Sequence, residues 1–142
     1  MDWFPTLARL AGARLRPGRA IDGKDIWPLL SGKSSRSPHQ AFYYYYGPQL
    51  QAVRSGRWKL FLPMERRWVT LQGKTEPSPV RLYDLDADIA ESRDLSARHP
   101  EVVRRLTALA EKARADLGDV DLPGCGQRPA GRVENPTPRM RV

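Results

Sequence analysis

AFYYYYGPQLQAVRSGRWKLFL, residues 41–62, is the stretch that decides the fold. Residues 41–46 are a run of aromatic strand formers that stops at Gly47-Pro48. Residues 49–54 and 57–62 then flank Ser55-Gly56, which has the length and chemistry of a two-residue hairpin turn. Three antiparallel strands in a meander follow. A polar, proline-bearing segment over 64–79 leads to residues 80–85, which return as a fourth, short strand. Side chains alternate between the faces of a strand, so Tyr43 and Tyr45 share one face and Tyr44 and Tyr46 the other.

Beyond residue 100 the period changes. Val102, Val103, Leu106, Leu109, Ala110, Ala113 and Leu117 recur at steps of three and four, which makes one apolar helical stripe. Pro100 suits the first helical position, Glu101 favours the amino end of the dipole, and Gly118 suits the carboxyl cap. From Asp121 onward little is available to bury, and an extended or disordered tail is expected. At the other end, Asp2 is expected to cap a short helix that tolerates Pro5 in its first turn, buries Leu7, Leu10 and Ala11 on one face, and ends at Gly12. Residues 21–30 combine Asp-Gly turn chemistry with Ile26, Trp27, Leu29 and Leu30, and are expected to pack irregularly or as a single helical turn. The fold class is α+β: a small four-stranded antiparallel sheet packed with a long C-terminal helix and preceded by a short helical segment.

Composition narrows the function. Twenty-four basic against sixteen acidic residues give a net charge of +8, which raises the question of an anionic partner. The cations run from Arg9 to Arg141 and are mixed with acids in the helical segment, so no nucleic-acid stripe forms. No apolar run of roughly 18 residues or more occurs, so no membrane partner is expected. Met1 is followed at once by Asp2 and then Pro5, without a signal-peptide pattern, and the compartment stays unassigned. Cys125 is the sole cysteine and permits no internal disulfide.

Clusters that could carry chemistry are few. Asp84, Asp86, Asp88 and Glu91 imitate a calcium loop, but the sixth position is Ile89 instead of glycine and the twelfth is Leu95 instead of glutamate, so a strand end and turn are expected. His39 lies in a loop and His99 at a helix start, where capping or solvated roles are the ordinary ones. Two histidines and one cysteine make a poor zinc set. No phosphate-binding glycine loop occurs.

Four blocks in order, DWFPTLARLAG at 2–12, IDGKDIWPLLSG at 21–32, QAVRSGRWKL at 51–60 and RLYDLDADIAESRDL at 81–95, resemble the C-terminal third of a type I, formylglycine-dependent sulfatase of the arylsulfatase A and N-acetylgalactosamine-6-sulfatase kind. The resemblance implies a parent enzyme that hydrolyses sulfate esters with calcium and a formylglycine made from a C/S-x-P-x-R signature. Those groups belong to the region before the first block, so no cofactor is expected in this chain. Cys125 does not supply the signature, since Gln127 stands where proline belongs and Pro129 where arginine belongs.

The last block follows the family's LYDL-x-x-D-P-x-E-x-x-N-L corner, with Ile89 in place of proline and Asp94 in place of asparagine. The resemblance divides the chain into a remnant of the large α/β sulfatase domain and linker over 1–36, a C-terminal subdomain over 37–120 and a tail over 121–142. The missing N-terminal domain is the implied partner. Without it, Phe4, Leu7, Ile26, Trp27, Leu29 and Leu30 are expected to face water, at a loss of about 1.5–3 kcal/mol for each side chain left unburied, which makes the isolated chain marginally stable. The resemblance also carries the loop after the hairpin toward the catalytic pocket, where Arg66 and Arg67 would meet an anionic substrate through forked hydrogen bonds. A second reading stays open: an autonomous basic module that binds sulfated glycans or nucleic acid through Arg66, Arg67 and the tyrosine strand.

Overall fold

The structure is a computed structural model, and it describes residues 1–15, 18, 20–64, 77–128 and 133–136. Strands β1 (Phe42–Tyr46), β2 (Gln49–Ser55), β3 (Trp58–Phe61) and β4 (Arg81–Asp84) form an antiparallel sheet in sequential order. Ahead of it lie helix α1 (Trp3–Leu10) and the single turn α2 (Trp27–Leu30), and behind it the long helix α3 (Pro100–Leu117). The α+β architecture read from the sequence is the one observed.

One transverse row explains the packing. Tyr43, Val53, Leu60 and Leu82 lie opposite one another across the four strands. They meet Val102, Leu106, Leu109, Ala110 and Ala113 of α3 in a single apolar cluster, in which Leu60, Leu82 and Leu106 are wholly inaccessible. Each such side chain contributes about 1.5–3 kcal/mol by leaving water. Trp58 and Tyr45 flank the cluster. The stripe ends at Ala113, and Leu117, expected within it, lies 39% exposed at the end of the helix.

The strands differ from the sequence reading in detail. In the second hairpin Ser55 pairs with Trp58, so the loop residues are Gly56 and Arg57, one position later than predicted. Gly56 holds φ of 60°, and a two-residue turn accepts that conformation readily when glycine stands first in the loop. Ser55 instead belongs to the strand, with its hydroxyl donating to the Gln40 carbonyl at 2.9 Å. In β1–β2, Tyr44 pairs with Ala52 and Tyr45 with Leu50, which leaves Gln51 as a bulge.

A corner over residues 85–95 closes the free edge of β4. Asp94 Oδ1 accepts the Leu82 N–H at 2.9 Å, and the Leu95 N–H donates to the Leu82 carbonyl at 2.8 Å. Both backbone groups that Leu82 turns away from β3 are thereby satisfied, which blunts the edge. Asp88 accepts the Ser92 and Arg93 N–H groups, each at 2.8 Å. Glu91, held at φ of 55°, receives Lys59 Nζ at 2.6 Å. Asp84 receives Arg57 at 3.0 Å. These carboxylates hold a strand end and its turn together, as the sequence implied.

The stretch expected to run extended from Asp121 turns back. β5 (Gly118–Asp119) pairs with β6 (Leu122–Pro123). The Cys125 N–H then donates to Ala115 O and the Gly126 N–H to Asp116 O, each at 2.8 Å, and the Gln127 side chain donates to Leu117 O. The last carbonyls of α3 have no donors within the helix, and this return supplies them. Gly124 permits it, since a Cβ there would collide with the Asp116 carbonyl.

Two outcomes follow. Leu106→Ala is expected to lower stability by about 2–5 kcal/mol in urea denaturation, whereas Ile89→Ala, exposed in the corner, stays within about 0.5 kcal/mol of the parent. Burial pushes the Asp94 carboxyl up, but the N–H groups of Leu82 and Ser96 and the Ser96 hydroxyl outweigh it and leave it below the ordinary value. Its contribution is complete above that ordinary value and is lost as pH falls through the lowered one. Asp94→Asn, which keeps an acceptor for Leu82 but does not titrate, should therefore lose less stability than the parent on acidification from about pH 6 to about pH 3. Equal acid sensitivity in the two chains would show that Asp94 carries none of it.

Candidate docking surface

Asp2 and Thr6 stand one helical turn apart on α1 and hold the segment before α2. Asp2 Oδ1 accepts the Lys24 N–H at 2.8 Å, and Thr6 Oγ1 accepts the Ile26 N–H at 3.0 Å. Four helical residues advance about 6 Å and two extended residues about 6.6 Å, so the two acceptors match alternate N–H groups of the facing chain. Thr6 is fully buried and donates its own proton to the Asp2 carbonyl at 2.6 Å. Gly23 passes so close to α1 that a Cβ would lie 2.3 Å from the Met1 carbonyl oxygen.

Asp2 thus does not cap α1, as the sequence reading had it. Its φ and ψ of −76° and −17° are already helical, and its side chain makes no capping bond. The carboxylate turns instead to Lys24 and to His39 Nε2, 2.9 Å away, and these contacts, the Lys24 N–H foremost, hold it below the ordinary carboxylate value. Lys24 Nζ donates to the Pro38 carbonyl at 2.8 Å, and Arg9 pairs with Asp25 at 2.8 Å. The arm, described over residues 1–15, 18 and 20–30, is therefore braced internally and tied to the linker that enters β1.

The bracing turns the polar side of α1 inward. Pro5 and Thr6 are its buried residues, while Trp3, Phe4, Leu7 and Leu10 stand 48–60% exposed, with Trp27 and Leu30 from α2 exposed as well. Leu7 and Leu10 were expected in a buried face. An ordinary surface helix shows the opposite arrangement, and a patch of this kind marks an interaction surface. Phe4 also borders a cleft of about 360 Å³ with Ile21, Asp22 and Arg128, where Arg128 Nη2 meets both Asp22 carboxylate oxygens.

The other candidate residues take structural places. Tyr43 and Tyr45 pack on the core, burial raises both phenol pKa values, and the Tyr45 hydroxyl donates to the Gly118 carbonyl at 2.9 Å. Tyr44 lies on the opposite face, edge-on to Phe42 with Lys59 Nζ 4.9 Å from its ring centre. His99 makes no capping bond and packs on Trp58 with ring centres 4.9 Å apart. Cys125 is exposed. Arg66 and Arg67 lie outside the described residues. Among the described residues no group of three His, Cys, Asp or Glu side chains converges to hold a metal, and no helix is long and apolar enough to cross a membrane. Sequence reasoning missed the roles of Thr6 and Lys59, although the i, i+4 pairing of Asp2 with Thr6 was a visible signal.

Comparison with known proteins is consistent with this geometry. The family described as the C-terminal region of aryl-sulfatase matches residues 37–123. Steryl-sulfatase from Mus musculus is 38% identical over 140 residues, a match that covers 82% of this chain and 22% of the mouse protein. Arylsulfatase D from Homo sapiens is 31% identical over 144 residues, covering 84% and 24% respectively. A solved structure concerned with the metabolism of multiple glycosaminoglycans by Bacteroides thetaiotaomicron superposes with a TM-score of 0.63 at 31% identity, covering 80% of this chain and 24% of that one. The chain therefore spans about a quarter of the length of the relatives it matches. Helix-backed sheet, corner and arm together are the C-terminal region of a type I sulfatase, and the chain belongs to that family.

Proposed function

We propose that this chain works as the carboxyl-terminal part of an arylsulfatase-like sulfate-ester hydrolase, seated on a catalytic part through the outward face of α1 and α2. The observation that carries the reading is the inverted arm: Trp3, Phe4, Leu7, Leu10, Trp27 and Leu30 are held in water by polar bonds on the other side. That the matches cover about a quarter of each relative supports the remaining part of such an enzyme as the occupant. In this reading residues 1–36 finish the large domain and residues 37–120 form the small one, to whose helix end residues 122–127 of the remaining 121–142 segment return. The same reading assigns calcium and formylglycine to the catalytic part. Arg66 and Arg67, outside the described residues, are the candidates for contact with the anionic substrate.

Sulfate-ester hydrolysis needs an activated nucleophile and groups that hold the sulfate oxygens in a water-poor site. The purified chain with calcium is accordingly expected to hydrolyse p-nitrophenyl sulfate no faster than a blank. Joined to or co-expressed with the catalytic part of a related sulfatase, the preparation should turn over. Calcium-dependent turnover by the chain alone would overturn the division of labour. Docking has its own readout: emission from Trp3 and Trp27 should shift to the blue when the catalytic part is added. Unchanged emission in a preparation that turns over would place the contact elsewhere on the chain.

A further inference from the structure

The face of the sheet turned away from α3 carries two cations over one aromatic ring. Lys59 Nζ lies 4.6 Å and Arg81 Cζ 5.6 Å from the centre of Phe61, which stands edge-on to Tyr83. Their surroundings differ. Lys59 is neutralised by Glu91 at 2.6 Å. Among the described residues Arg81 makes no ion pair, although its charge reaches Asp94 and helps lower that carboxyl, and its Nε–H is buried without an acceptor. Its Nη2 reaches Ser78 Oγ at 3.4 Å, a long bond. Ser78 is fixed by a double backbone bridge to Met64, N to O at 2.9 and 2.8 Å, so the serine hydroxyl stands at a defined place beside the guanidinium.

A buried guanidinium N–H without an acceptor is costly, and arginine presents its donors as a planar fork that fits two oxygens of one group. The Ser78 O–H, which accepts from Arg81, retains its own proton for the same ligand. The nearby Phe61 ring excludes water from one side, which strengthens attraction between opposite charges.

We propose that Arg81 and Ser78 form an oxyanion site at the end of β4, one that takes a carboxylate or sulfate group through Arg81 Nη2 and the Ser78 hydroxyl, and through Nε once an outward shift of the guanidinium frees it. The site stands on this chain's own residues and does not depend on the docking surface. An acidic side chain of a neighbouring polypeptide or a small sulfated molecule would present the same chemistry. Preference between planar and tetrahedral probes distinguishes these sources.

The test uses the ¹⁵N-labelled 142-residue chain, with the Arg81 Nε–H resonance assigned by its loss in Arg81→Lys. Titration with sodium sulfate, sodium acetate and, at matched ionic strength, sodium chloride should move that resonance to saturation in one or both oxyanions and hardly at all in chloride. Arg104, exposed on α3, provides the reference and should follow ionic strength alone. Stronger saturation by acetate assigns the site to a carboxylate, and stronger saturation by sulfate to a sulfate group. Arg81→Gln should retain the amide pattern of Leu60 and Leu82 while their small anion-induced shifts disappear. Should that variant unfold, Arg81→Lys, which keeps the charge without the fork, is expected to lose the saturable response of the neighbouring Ser78 amide. Equal, unsaturated movement of Arg81 and Arg104, or a full Ser78 response in the lysine variant, would overturn the proposal.

Discussion

Everything else in this chain depends on α3 lying across one face of the sheet. Leu106 and its neighbours close on the row Val53, Leu60 and Leu82, and that contact removes from water the side chains that make four short strands worth forming. Because a single helix covers a single face, the other face has to be protected by its own residues. It uses Phe42, Tyr44, Phe61 and Tyr83, with the charged ends of Lys59 and Arg81 over the rings of Tyr44 and Phe61, an arrangement that keeps apolar surface and charge together at an interface with water.

The same constraint explains why two of the recognised sequence blocks meet. QAVRSGRWKL supplies Arg57 and Lys59, RLYDLDADIAESRDL supplies Asp84 and Glu91, and the two pairs join the hairpin to the corner at 3.0 and 2.6 Å. Asp94 and Leu95 then occupy both free backbone groups of Leu82. Residue types that could serve a metal or a reaction here hold the edge of a small sheet closed. Lys59 is shielded on both sides by Tyr44 and Phe61, so its bond to Glu91 operates with less competition from water than an exposed pair would. That bond also pins Glu91 in a left-handed conformation that a side chain seldom adopts unaided.

The sheet and the long helix were legible in the sequence because their signals are periodic and local. The period of two in residues 41–62 and the steps of three and four after residue 100 each report one buried face. Pro100 and Gly118 bound the helix where the pattern said they would. What escaped reading depends on bonds between distant parts of the chain. Asp2 looked like a cap because Asp before an apolar run usually is one, yet its partners are Lys24 and His39, 22 and 37 residues away. The segment PGCGQ looked structureless because it buries nothing, whereas its role is to return N–H groups to the end of α3. For the surface itself, the pattern showed that α1 has an apolar face, but not that Thr6 would turn the face outward.

That outward turn bears on how the arm would engage a larger body. A free eight-residue helix is far too short to persist in water, so without support α1 would be ordered only on contact, and the ordering would subtract from the affinity. Here Asp2 and Thr6 fasten it to residues 24–26, Arg9 to Asp25 and His39 to Asp2, all through polar groups on the side away from the apolar patch. None of these bonds has to break for Trp3, Phe4, Leu7 and Leu10 to be covered. A surface assembled before contact loses less freedom on binding than one that folds at the interface, and more of the apolar area it buries is realised as affinity. The burial of Thr6, which contributes no apolar area to the exposed face, is therefore the feature that best distinguishes a prepared docking element from a helix merely left uncovered.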